Sequence, residues 1–167
     1  MEQIKRENLV EKIHEAFKDT PAPKNGYVGY ELEEFKQVHW RDVPVELIRK
    51  YRDSFGNFSP EGFRFYLPAI LTAIILQPKI VDTAVNNIIF YVSPPELDEP
   101  FNQGFDLRVK EFCQEEKQAI SLFLNSYREL EPYGWWTTDE TYRMKLDRAI
   151  DFWRNSKNYS NSMKRYI

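Results

Sequence analysis

Glu61, Arg64 and Tyr66 crowd into the run F-S-P-E-G-F-R-F-Y-L-P, residues 58–68. An acid, a guanidinium and a phenol so close together could line a small-ligand pocket or an active site. His39 is a further polar group for it, and Pro68 supplies a helix defect around which it would form. Arg64 has two readings. Set among Phe63, Phe65 and Tyr66, its guanidinium must reach solvent or pair with a carboxylate, so structural pairing stands beside ligand binding. A second candidate surface is the aromatic turn Glu131-Pro132-Tyr133-Gly134-Trp135-Trp136, where Trp135 and Trp136 could contact a partner.

Other chemistry is sparse. Two histidines, His14 and His39, and the single Cys113 make no zinc site without carboxylates brought in from afar. His14-Glu15-Ala16-Phe17 lacks the second histidine of a zincin helix, and there is no nucleophile elbow, P-loop or dinucleotide fingerprint. Cys113 has no histidine nearby in sequence to activate it. No catalytic residue, metal or cofactor is therefore expected.

The charge balance of 26 acids and 23 bases gives a net −3, which favours neither nucleic acid nor an anionic membrane. Arg143, Lys145 and Arg148 are offset by Asp139, Glu140, Asp147 and Asp151, a solvated ion-pair face. A single cysteine permits no internal disulfide and fits a reducing compartment. With no signal peptide over residues 1–17, and an apolar run after Arg64 broken by Pro68 and Thr72, a cytoplasmic protein is the simplest expectation. At 167 residues the chain reads as one domain, able to bury roughly 70% of its unfolded surface. Its 12 Phe, 10 Tyr and 4 Trp fit an aromatic-rich core, with an aromatic binding surface as the alternative.

The elements that position these residues read as helices. Apolar residues at helical spacing predict one from about Gln3 to Lys18, with Ile4, Val10, Ile13 and Phe17 inward and His14 at the edge of the stripe. Prolines and Gly26 stop it. Leu32, Phe35 and Val38 predict a short helix over Glu31 to Val38, although Gly29-Tyr30 could be extended. Glu31, Glu33 and Glu34 would then compensate the helix dipole or form an acidic recognition patch. Asp42-Val43-Pro44 reads as the start of the next helix, to about Arg52.

The central helix has Ser59 as its cap, Pro60 first and Glu61 in the first turn. It is apolar nearly all round to Leu76, as a buried helix is. Gly62 either permits close approach by a neighbour or is merely tolerated. Pro68 predicts a kink or break near Arg64–Pro68. Lys79 to Tyr91 reads as one further helix, with strand as the lesser reading. Cys113 to Glu116 resembles a capping box opening a helix through Tyr127, and Thr137 with Glu140 predicts the start of the last helix. Residues 159–167 read as a flexible tail after a single domain over 1–158. The expected architecture is all-α: about six to seven helices packed as a compact bundle around the buried, proline-kinked central one.

Trp40-Arg41-Asp42-Val43-Pro44, the run Phe58 to Ala69, and Gln118-Ala119-Ile120 with Phe123-Leu124 resemble a family of small bacterial proteins known as a domain of unknown function. The likeness covers Trp40 to Leu124, its F-x-P-E-G-F-R-F-Y-L-P core being the specific part. It implies a compact helical domain in bacteria and brings no activity, cofactor or catalytic residue. The leading functional expectation is a noncatalytic domain that binds another protein, in one form an immunity-type protein neutralising a toxin. The alternative is a small-ligand protein or enzyme with its site near Pro68.

Overall fold

Burial of the 58–76 segment organises the chain. The structure, a computed structural model, describes residues 2–24, 27–96, 104–131 and 137–156. These form eight α-helices: α1 (Glu2–Ala16), α2 (Val45–Lys50), α3 (Pro60–Leu76), α4 (Pro78–Val81), α5 (Ala84–Val92), α6 (Phe105–Glu111), α7 (Gln114–Leu130) and α8 (Glu140–Asn155). Among the described residues there is no strand, only an isolated bridge between Gly29 and Phe58. The fold is all-α, as expected. Among the described residues, no helix is long and apolar enough to cross a membrane.

The central helix starts as its sequence dictates, with the Ser59 hydroxyl accepting from the Gly62 N–H at 3.0 Å. Twelve of its seventeen residues are buried, Gly62 and Pro68 included. α3 runs unbroken through Pro68, so of the expected kink or break, the break does not occur. An interior proline costs about 3 kcal/mol, whereas each buried large side chain of α3 contributes about 1.5–3 kcal/mol. Packing wins by a wide margin. One turn on, the Thr72 hydroxyl donates to the Pro68 carbonyl at 2.7 Å.

Around α3 the helices are neighbours in a ring: α3 packs on α1, α1 on α7, α7 on α8, α8 on α5, and α5 on α3 again, with α6 also against α3. The aromatic residues fill this core, Phe63, Phe105, Phe112, Phe123 and Trp153 all being buried. Arg6 ties two helix ends together, donating to the carbonyls of Ile75 at 2.7 Å and Leu130 at 3.0 Å. A cation belongs there, where helix carbonyls lack partners.

Several helix boundaries differ from the sequence reading, each for a physical reason. Glu31 to Val38 is not a helix beyond the single 3₁₀ turn Glu33–Phe35. The chain is instead drawn against the start of α3: the Tyr30 N–H donates to the Asn57 carbonyl at 3.0 Å, and Glu31 takes φ 56°. α2 begins at Val45 with Pro44 as its cap, because Asp42 belongs to a separate 3₁₀ turn, Trp40–Asp42, capped by His39. The segment after Gln77 is two helices, divided at Asp82, whose φ of 51° breaks the helical path. α8 starts at Glu140 because the Asp139 carboxylate, rather than Thr137, accepts from the Tyr142 N–H at 3.0 Å. Ile4, assigned to the inner stripe, is exposed. The expected tail over 159–167 lies outside the described residues.

Gly62 is a close-approach glycine. A Cβ placed there would stand 2.1 Å from the Val28 carbonyl oxygen, which is backbone and has little room to yield. Gly62→Ala therefore lowers stability in urea unfolding, although alanine alone would favour the helix by about 1 kcal/mol.

Candidate functional site

The C-terminal end of α1, the Arg64 turn of α3 and the first turn of α7 enclose a cleft of about 550 Å³. Its base is the Glu116 carboxylate, only 1% exposed. Three elements satisfy it. Arg64 Nε donates to Oε2 at 2.8 Å and Oε1 at 3.1 Å, the Thr20 hydroxyl to Oε1 at 2.5 Å, and the Cys113 N–H to Oε2 at 2.9 Å. The last of these bonds is the expected capping interaction at the start of α7. A carboxylate so deeply buried requires such partners, since desolvation of a lone charge costs several kcal/mol.

The site residues read from sequence do not converge. Arg64 lines the cleft, whereas Glu61 and Tyr66 take no part in it. Glu61 turns to residue 24, accepting from the Lys24 N–H at 2.7 Å with the Lys24 ammonium at 3.6 Å. Tyr66 is a core post. Its hydroxyl lies against the carbonyls of Phe35 and Val38, its ring contacts Phe35, Phe58 and Phe65, and burial pushes its pKa up to about 12. Trp135 and Trp136 lie outside the described residues. Thr20 and Glu116 are what sequence reasoning missed. Cys-x-x-Glu signalled Glu116 as a cap, but nothing local signalled its arginine 52 positions away.

Cys113 keeps an exposed surface at the cleft, yet desolvation of its thiol at the start of α7 pushes the pKa up, away from the thiolate. His39 is occupied as a cap, its Nδ1 accepting from the Arg41 N–H at 3.2 Å. His14 lies 3.0 Å from the Thr72 hydroxyl through Nε2. Because the one Thr72 proton goes to Pro68, Nε2–H must be the donor, which leaves Nδ1 bare in the neutral ring. Desolvation, and then the nearby Arg41, lower the His14 pKa. No group of three or more His, Cys, Asp or Glu that could hold a metal ion occurs among the described residues.

In comparison with known proteins, a family model described as "Family of unknown function (DUF6714)" matches residues 5–157. No curated protein and no solved structure matches the chain.

Two outcomes follow from this geometry. Arg64→Met, which leaves the buried Glu116 without its cation, costs about 3–5 kcal/mol in urea unfolding, and Glu116→Gln in the same chain recovers much of that loss. His14 has a folded pKa below its unfolded value of about 6.5, so the unfolded chain takes up the proton first. Its contribution to stability is present above that value and falls as pH drops below it. His14→Gln, which keeps a donor for Thr72 but does not titrate, shows a flatter stability profile between about pH 7.5 and 5.5.

Proposed function

We propose that this chain, which belongs to the family of unknown function DUF6714, is a noncatalytic protein-binding domain that meets its partner through the loop carrying Tyr27 and Tyr30. The observation that carries this reading is the contrast between exposed rings and a pinned backbone. Tyr27 and Tyr30 are 57% and 66% exposed. Between them Val28 is buried, its carbonyl accepting from the Ser59 N–H at 2.9 Å, and the Ser59 hydroxyl donates to the Tyr27 carbonyl at 3.2 Å. Glu31 accepts from the Tyr30 phenol, which raises the phenol's pKa, and Glu61 holds the Lys24 backbone on the approach to the loop.

Tyrosines held this way supply large contact area at low entropic cost, which is why they are enriched at protein interfaces. Positive φ at a non-glycine residue such as Glu31 is backbone strain of the kind that clusters at recognition sites. The reactive side chains meanwhile support a noncatalytic role by their commitments: Tyr66 and His14 to the core and Glu116 to its three donors. The net charge of −3 supports the immunity-type form of the reading, in which the partner is a basic toxin. A bacterial cytoplasmic setting belongs to the same proposal, supported by the residue 58–68 resemblance and the lone cysteine.

The full chain and its Tyr27→Ala/Tyr30→Ala variant, each immobilised and exposed to lysate of the source cell, provide the test. Proteins enriched on the wild type should fall on the variant by about tenfold or more. No enrichment on the wild type, or equal enrichment on both, overturns the reading.

A further inference from the structure

We infer that the cleft between α1, α3 and α7 binds a zwitterionic ligand of amino-acid type, its carboxylate on the Arg64 guanidinium and its ammonium on Asp19. This site is separate from the tyrosine loop. Arg64 bonds Glu116 through Nε alone, at 2.8 and 3.1 Å. The buried carboxylate thus fixes the guanidinium, while both Nη groups make no hydrogen bond among the described residues and are not sealed from solvent. A planar guanidinium edge already held in place is matched to a carboxylate and loses little freedom on binding it.

The rest of the lining chooses among anions. Around Arg64 the cleft also carries Lys12 and Lys18, but four carboxylates face these three cations. Lys18 holds Glu15 at 2.6 Å, Arg64 holds Glu116, and Glu115 accepts from its own backbone N–H. Asp19 makes no close ion pair among the described residues and acts on Lys18 only through its longer-range field, so it is the acid most available to a ligand's cation. A phosphate monoester would bring about two negative charges into this acidic lining, whereas a carboxylate brings one. A carboxylate that carries its own ammonium brings none. Ala16, Ala119 and Leu122 add an apolar wall for a side chain. The volume of about 550 Å³ lies within the range of small-ligand pockets.

The test uses the ¹⁵N-labelled full chain, titrated at constant ionic strength with L-leucine, isovalerate, isoamylamine and inorganic phosphate. L-Leucine should give saturable shifts at the amides of Thr20, Gln118 and Ala119 and at the Arg64 side chain. Isovalerate, which lacks the ammonium, and isoamylamine, which lacks the carboxylate, should each bind about tenfold more weakly. Asp19→Asn should remove most of leucine's advantage over isovalerate, because the ammonium loses its partner while the isovalerate carboxylate loses a repulsive neighbour. Asp19 is exposed and outside the core, so this variant keeps the fold. The inference is overturned if leucine gives no saturable shift, if isovalerate or phosphate binds as tightly, or if Asp19→Asn leaves leucine binding unchanged. None of these results touches the tyrosine-loop reading, because Tyr27 and Tyr30 do not line the cleft.

Discussion

One buried carboxylate constrains three parts of this molecule at once. Glu116 accepts from the segment after α1, from the middle of α3 and from the N-terminus of α7, elements far apart in sequence. The apolar core contributes far more free energy, since α3 alone buries twelve residues. That energy is tolerant of small slips between helices, because hydrophobic burial has little direction. A carboxylate shut away from water is not tolerant. If α3 slid by a turn against α7, Arg64 would leave Glu116 and several kcal/mol of desolvation would go uncompensated. Burial therefore supplies the magnitude and Glu116 the register.

Pro68 and Gly62 show the same division within α3. Both are poor helix residues, and both are buried in the longest apolar run of the chain. Pro68 is carried by the packing around it, with Thr72 and His14 forming a short polar chain beside it. Gly62 is required by what lies against it, since the Val28 carbonyl occupies the place of its missing Cβ. A residue that weakens the isolated helix here allows the Tyr27–Tyr30 loop to lie close on that helix.

Much of the fold was legible because its signals are local. Ser59-Pro60 started α3, the Cys113–Glu116 pair started α7, and apolar periodicity found α1 and α8. The misreading of Glu31 to Val38 lies where a distant group overrides a local pattern, whereas those at Asp42, Asp82 and Thr137 turn on local caps and backbone angles. Leu32, Phe35 and Val38 have helical spacing, but Phe35 is drawn among Phe58 and Tyr66 and the backbone pairs with Asn57 instead. The candidate site fared similarly. Spacing placed Glu61, Arg64 and Tyr66 together, yet on a helix buried nearly all round, neighbouring positions face different partners. Glu61 meets Lys24, Arg64 meets Glu116, and Tyr66 meets Phe35. Pairing of Arg64 with a carboxylate was foreseen, but which carboxylate is a property of the tertiary fold.

That partition bears on how one small helical fold can carry two surfaces. At the start of α3, Ser59 and Gly62 hold the loop that exposes Tyr27 and Tyr30; farther along, Arg64 enters the cleft with α7. The two share a helix that Pro68 does not break, so each is mounted on the same packed core. The loop draws its rigidity from backbone hydrogen bonds and one ion pair at Lys24, whereas the cleft draws its own from the Glu116 carboxylate. A change at Gly62 reaches the first by displacing the Val28 carbonyl, and a change at Glu116 reaches the second by freeing Arg64. The interactions that fix each surface are thus different in kind, so damage to one need not pass to the other unless α3 itself is lost.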